Sequence, residues 1–309
     1  MLLGESLDIF RQKEYTENEK DTQNRDGKKG KAMTTIKNQV FDQERAFYGA
    51  QSLSLTDCAF DGEADGESAC KESSDVSALR CFFNLRYPFW HCKGVTVKES
   101  TLSSLCRAPF WYSENITVKG TKLHGTKAFR ECQNIVISSC DILSEECFWL
   151  SRRISVEDCA ATGEYFMFRA ADLTLRRLSF RGKYSFQYIQ NALLEECELD
   201  TKDAFWHASN VTLRGCRIKG EYLAWYSENL TLEDCEIEGT QPFCYCKGLR
   251  LINCKMKNTD LCFEKSEVEA TVTTPIDSVK NILLGAVRAP AVLEVIRDDP
   301  SYQGSVIIE

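Results

Sequence analysis

The sequence predicts an all-β fold, a single-stranded right-handed parallel β-helix of about twelve coils of nineteen residues with a short C-terminal helical cap. Three observations predict it. Asn-Val-Thr-Leu-Arg-Gly-Cys-Arg-Ile at 210–218 recurs as Asn-Leu-Thr-Leu-Glu-Asp-Cys-Glu-Ile at 229–237, an offset of nineteen. Within each unit apolar and polar residues alternate with the period of a strand buried on one face, and no helical period intervenes. Eight cysteines, Cys58, Cys81, Cys140, Cys159, Cys197, Cys216, Cys235 and Cys254, share one repeat position, which makes them a packed column instead of a disulfide framework.

Residues 1–32 are polar and mixed in charge, too poor in apolar side chains to offset their ordering entropy, and are expected to be a disordered leader. Met33 follows directly and offers an alternative start to Met1. A single β-helix domain then occupies 33–309, with regular coils over about 47–273 and the cap within 274–309. Units begin at Ser52, Asp75 and Gly94, then every nineteen residues from Asn115 to Glu267, with four extra residues before Asp75 and two before Asn115. Aliphatic second and fourth positions, such as Val211 and Leu213, read as one strand; the cysteine column and a following aliphatic column (Leu199, Ile218, Ile237) read as a corner and a second. An aromatic run such as Ala-Phe-Trp-His at 204–207 reads as a third strand, and residues 291–297 (AVLEVIR) carry the helical spacing of a cap. Nineteen residues are too few for a βα unit.

The net charge of −8 and isoelectric point near 5.2 argue against nucleic acid or an anionic membrane as partner, since both select basic surfaces. No apolar run reaches the roughly 18 residues of a membrane span, and residues 1–10 lack a basic start and a full apolar region, so a cytoplasmic protein with reduced thiols is expected.

The strings Asn-Leu-Arg-Tyr-Pro-Phe-Trp-His (84–91), Lys-Tyr-Ser-Phe-Gln-Tyr (183–188), Asp-Thr-Lys-Asp-Ala-Phe-Trp-His (200–207) and Gly-Thr-Gln-Pro-Phe-Cys-Tyr-Cys (239–246) resemble a bacterial family of pectin-lyase-like β-helix proteins catalogued as a domain of unknown function. The resemblance covers roughly residues 36–298 and implies the solenoid fold without assigning a catalytic residue. If the chain is an enzyme, fold analogy alone implies a polysaccharide lyase or glycoside hydrolase. Such enzymes use calcium-bound aspartates or paired carboxylates on one strand, and no matching cluster appears.

The aromatic run holds the candidate site. Its Phe column is nearly uniform and reads as buried; the next column (Trp90, Trp111, Arg130, Trp149, Trp206, Trp225) is mixed and reads as outward, followed by His91, Tyr112, Glu131, Arg169, Tyr188, His207, Tyr226, Tyr245 and Glu264. Aromatic faces beside hydrogen-bonding edges suit sugar rings, so Trp90, His91, Arg130, Glu131, Arg169, Tyr188, Trp206, Trp225 and Tyr226 are candidate saccharide contacts. A shift of one residue would instead turn the tryptophans inward into a stacked core, and both registers stay open. His207 with Asp203 is a candidate acid–base pair; ordinary surface hydrogen bonding is the commoner use of such residues. Arg130, Glu131 and Arg169 also read as a solvated ion-pair cluster.

Asp61, Glu63, Asp65 and Glu72 match the spacing of a calcium loop, yet no flanking helices are evident and a solvated acidic turn is preferred; no other cofactor is indicated. The apparent glycosylation sites at Asn115, Asn210 and Asn229 share one repeat position and read as an asparagine ladder at a corner, and Cys244 and Cys246 lack the partners of a zinc site. The leading functional expectation is saccharide binding along the aromatic face, with processing there as an extension; the rival is a non-catalytic interaction scaffold for a protein partner.

Overall fold

The computed structural model describes residues 33–300 and 302–309; the expected leader lies outside them. The described residues form a parallel β-solenoid of about 14 turns; Thr34–Lys37 adds a rung before the regular units, and Leu284–Ala289 and Ser305–Ile308 add rungs after them.

Each regular coil carries two strands. Gln190–Glu195, Ser209–Arg214 and Glu228–Glu233 pair in register, so Ala192, Val211 and Leu230 form one buried column and Leu194, Leu213 and Leu232 another. Short strands such as Glu198–Lys202 and Arg217–Lys219 build the second ladder, where Leu199, Ile218 and Ile237 stack inward. The apolar positions are inward because a strand alternates its side chains and only one face meets the core.

The corners are residues in left-handed backbone conformation. Asn115, Asn134, Asn191, Asn210 and Asn229 have φ between 55° and 58°, which asparagine tolerates better than most side chains. Their amides chain along the axis: Asn229 Nδ2 donates to Asn210 Oδ1 at 3.1 Å, and Asn210 Nδ2 to Asn191 Oδ1 at 3.3 Å. The expected asparagine ladder is therefore present. All sixteen cysteines are unpaired and buried. Those of the repeat column satisfy their thiols on backbone carbonyls, as Cys216 Sγ does on Arg214 O at 3.4 Å.

Two expectations are corrected. The aromatic run is no third strand but a turn ladder, in which Asp203, Phe205 and His207 have φ of 55°, 59° and 54°. Left-handed residues at every second position curl the chain around a corner while keeping a period of two, the signal a strand would also give. Hydrogen bonds between coils persist there: Phe205 N–H donates to Ser185 O at 3.0 Å and His207 N–H to Trp225 O at 2.9 Å. The C-terminal helical cap is also absent. Val292–Ile296 is a strand pairing in parallel with Ile276–Lys280. Its β-branched residues fit a pleated surface, and the open hydrogen-bonding edge of the preceding coil outweighs the helical spacing.

Phenylalanines fill the core. Phe110, Phe129 and Phe148 stack at 4.8 and 4.6 Å, and Phe186 lies 4.9 Å from Phe205. Phe205 is 1 % exposed, so Phe205→Ala is expected to cost about 3–5 kcal/mol through lost burial and an unfilled cavity. At the corner, Asn229→Val is expected to cost about 1–2 kcal/mol while Asn229→Gly costs less, because glycine accepts the left-handed conformation. Chemical denaturation of the variants measures both differences.

Candidate functional site

The aromatic turn decides which rings face solvent. The Phe column points inward, as expected for one of the two open registers, and the Trp column follows at half-burial. The indoles are held edge-on to the backbone of the next coil: Trp206 Nε1 donates to Tyr222 O at 2.7 Å, Trp225 Nε1 to Gln241 O at 2.8 Å, and Trp149 Nε1 to Tyr165 O at 2.9 Å. Trp206 and Trp225 stack on each other at 5.4 Å.

Outside them runs a second, exposed ladder. Every residue of this column is left-handed, which aligns its side chains one above another. Tyr188 and His207 stack at 4.8 Å, His207 and Tyr226 at 5.1 Å, and Tyr226 and Tyr245 at 4.8 Å, with planes within 11° of parallel. The Arg169 guanidinium caps one end at 5.3 Å from the Tyr188 ring and has no carboxylate partner among the described residues. The ladder thus presents ring edges, with phenol hydroxyls and imidazole nitrogens, while neighbouring rings cover the faces. At the other end Lys265 occupies the column and Glu264 falls one position earlier, because that coil is one residue longer than the sequence frame allows.

Nearer the N-terminus, His91 stacks on Tyr112 at 5.0 Å, Lys71 Nζ sits 4.2 Å from the Trp90 ring centre, and Arg130 lies between Trp111 and Trp149 at 5.4 and 5.8 Å. The Trp90 indole N–H and Arg130 Nε are buried without a hydrogen-bond partner. Arg130 and Glu131 approach to 3.6 Å, but Arg169 stacks on Phe168 and Tyr188 instead of joining them.

The structure does not bring Asp203 and His207 together. His207 is sandwiched between two tyrosines, and no hydrogen bond links it to Asp203, whose backbone carbonyl accepts from Gln187 Nε2 at 2.9 Å. Asp203 is 7 % exposed, and burial holds its carboxyl above the usual carboxylate range, opposed by Lys202 and reinforced by Glu221.

The calcium-loop spacing likewise fails to converge. Asp61 accepts from Asn84 at 2.8 Å, Asp65 pairs with Arg86 at 3.1 Å, and Glu72 accepts from the Tyr48 hydroxyl at 2.6 Å, while Glu63 stands exposed. Among the described residues no group of three or more His, Cys, Asp or Glu side chains could hold a metal ion. Cys244 and Cys246 are buried, and burial pushes both thiols up to about 12.

Sequence reasoning missed one contact. His124 Nε2 lies 2.8 Å from Asp141 Oδ2 on the outer face of the second ladder. The repeat frame already places these residues on adjacent coils, and only the diagonal reach of the imidazole was hidden.

Fold and corner together define a parallel β-helix with an edge-on aromatic ladder. The chain belongs to the family described as protein of unknown function (DUF3737), whose model matches residues 34–308. No curated protein matches it. Among solved structures it is similar to PfbA, a surface adhesin of Streptococcus pneumoniae, at 10 % identity over 75 % of this chain and 70 % of that one, with a TM-score of 0.36. Tailspike protein 3 of bacteriophage CBA120 matches at 11 % identity over 88 % of this chain and 51 % of its own, with a TM-score of 0.35. The catalytic domain of a GH87 alpha-1,3-glucanase in complex with nigerose matches at 10 % identity over 89 % and 58 %, with a TM-score of 0.31. Likeness at this level carries no information on function.

A raised folded-state pKa means that ionised Asp203 costs stability above that pKa and nothing below the unfolded one. Asp203→Asn is therefore expected to be more stable than the parent at neutral pH, with the gap closing as pH falls through the carboxylate range; thermal melts at a series of pH values measure it.

Proposed function

We propose that the aromatic corner binds an extended saccharide chain laid along the solenoid axis. The observation that carries this reading is the exposed ladder of Tyr188, His207, Tyr226 and Tyr245, which offers a hydrogen-bonding ring edge every 4.8–5.1 Å. That repeat is on the scale of one sugar ring per coil. Hydroxyl-rich ligands need such partners, and Tyr combines an apolar body with a polar tip. Arg169 adds a cation with no carboxylate partner at the end of the same row. The arrangement supports recognition more than processing at the corner, since His207 and Asp203 share no hydrogen bond. The proposal includes residence in the cytoplasm, where sixteen unpaired thiols stay reduced, so the ligand is an imported oligosaccharide or an internal glycan.

A second reading, a scaffold for a protein partner, is favoured by the stacking itself. Faces covered by neighbouring rings cannot take a sugar face-on, and Tyr, Trp and Arg are the residues that dominate protein-binding hot spots.

Glycan arrays followed by calorimetry test the first reading. Tyr226→Ala, which breaks the ladder at an exposed position, is expected to weaken saccharide binding by about tenfold or more without changing the melting temperature. Absence of any saccharide binding by the parent protein would sink it. One stoichiometric protein partner, lost on Tyr226→Ala, would move the assignment to the scaffold.

A further inference from the structure

The second strand ladder carries a polar cluster on a different side of the coil from the aromatic corner. Thr101 pairs with Lys122 and Leu102 with Leu123, so Ser103 and His124 are the next register neighbours, on adjacent coils about 4.8 Å apart along the axis. His124 Nε2 is held by Asp141 Oδ2 at 2.8 Å, leaving Nδ1 as the second ring nitrogen. The Ser103 hydroxyl donates to Asn84 Oδ1, and the Asn84 amide donates in turn to Asp61 Oδ1 at 2.8 Å. Ser103 Oγ also accepts the Leu105 N–H at 3.1 Å. Immediately after Ser103 come Ser104 and Leu105, the two residues by which this coil exceeds the nineteen-residue repeat. The Ser104 N–H has no partner among the described residues. Three large apolar side chains are exposed at the cluster's own rungs: Phe82 at 37 %, in register with Thr101; Leu105 at 64 %; and Leu143 at 51 %, one coil beyond His124.

We propose that Ser103, His124 and Asp141 form an acyl-transfer centre that hydrolyses a small carboxylic ester with a short apolar chain. Asp141 orients the imidazole, and rotation about the Ser103 Cα–Cβ bond carries the hydroxyl from Asn84 to His124 Nδ1. Ser103 Oγ then attacks the carbonyl carbon while its proton passes to Nδ1. The ester C–O bond breaks, and the alcohol leaves with that proton. Water, deprotonated by the same imidazole, attacks the acyl group on Ser103, releasing the carboxylic acid and restoring the hydroxyl. The Ser104 N–H is the backbone donor available to the oxyanion, and Phe82, Leu105 and Leu143 offer apolar contact to the chain. This assignment is independent of ligand binding at the aromatic corner.

A fluorophosphonate probe tests it directly, because the serine oxygen displaces fluoride and leaves a phosphonyl adduct. The full chain is expected to take up one adduct, mapped by peptide mass spectrometry to Ser103, and to release nitrophenol from p-nitrophenyl acetate. Ser103→Ala abolishes both, and Ser179→Ala, at an exposed serine on a distant rung of the same ladder, leaves labelling as in the parent. His124→Ala slows labelling about 100-fold or more, the usual scale of general-base assistance. Asp141 is a positioning residue, so Asp141→Asn slows labelling and Asp141→Glu recovers part of the rate. No adduct, an adduct elsewhere, or labelling of His124→Ala at the parental rate overturns the proposal. Should His124→Ala melt early, His124→Gln provides the same comparison.

Discussion

The structure depends on one constraint: coils of nearly equal length stack in register, so each residue packs against its own equivalent about 4.8 Å above and below. A side chain is tolerated only if its kind can stack on itself. Phenylalanine does so as parallel rings, leucine and isoleucine as interlocked aliphatic columns, and asparagine as a chain of amides. In one row charges do so by alternating in sign. Arg176, Glu195, Arg214 and Glu233 follow one another along the axis, with contacts of 2.8, 3.8 and 2.8 Å. Each exposed pair contributes little to stability, but a slip in register would set like charges against each other, so the row opposes misregistered coils.

The same constraint explains why cysteine fills a column without disulfides. The position lies at a corner where a small side chain must be buried at 0–4 % exposure, and a thiol there finds a carbonyl of its own or a neighbouring coil. Serine occupies comparable buried sites after the aromatic turn, where Ser227 Oγ donates to Phe205 O at 2.7 Å. Small polarizable or hydroxyl groups therefore satisfy the interior corners at low cost in volume.

How much of this was legible in the sequence varied with the kind of signal. The ladder of Asn210 and Asn229, the inward Phe205 and the buried Cys216 could be read, because each belongs to a column that repeats many times. The turn at 203–207 could not be separated from a strand, since alternate left-handed residues reproduce the period of two and backbone handedness leaves no mark on hydropathy. The strand Val292–Ile296 was hidden for a different reason: its fate was set by the open edge of the coil before it, a tertiary effect outside its own residues. At the candidate site, the row of Tyr188, His207 and Tyr226 followed from the repeat, whereas the separation of Asp203 from His207 did not. Four residues apart, they lie on one turn that sends Asp203 into burial and His207 into a stack.

Two departures from the repeat lie close together in space. Relative to the nineteen-residue frame, one coil inserts residues 62–65 directly after Asp61, and another inserts Ser104 and Leu105 directly after Ser103. Asp61, Asn84, Ser103 and His124 share one outward column, so both insertions leave the solenoid beside it. The coils from Asn115 to Lys247 keep their length and stack without interruption. An added residue disturbs the hydrogen bonds of its own coil and both neighbours, so a solenoid bears insertions most easily where the chain already leaves a strand. Two such loops flanking one polar column are a local exception to the rule that governs the whole molecule. It is at this exception that Ser103 and His124 fall on neighbouring rungs, with the imidazole held by Asp141 at 2.8 Å.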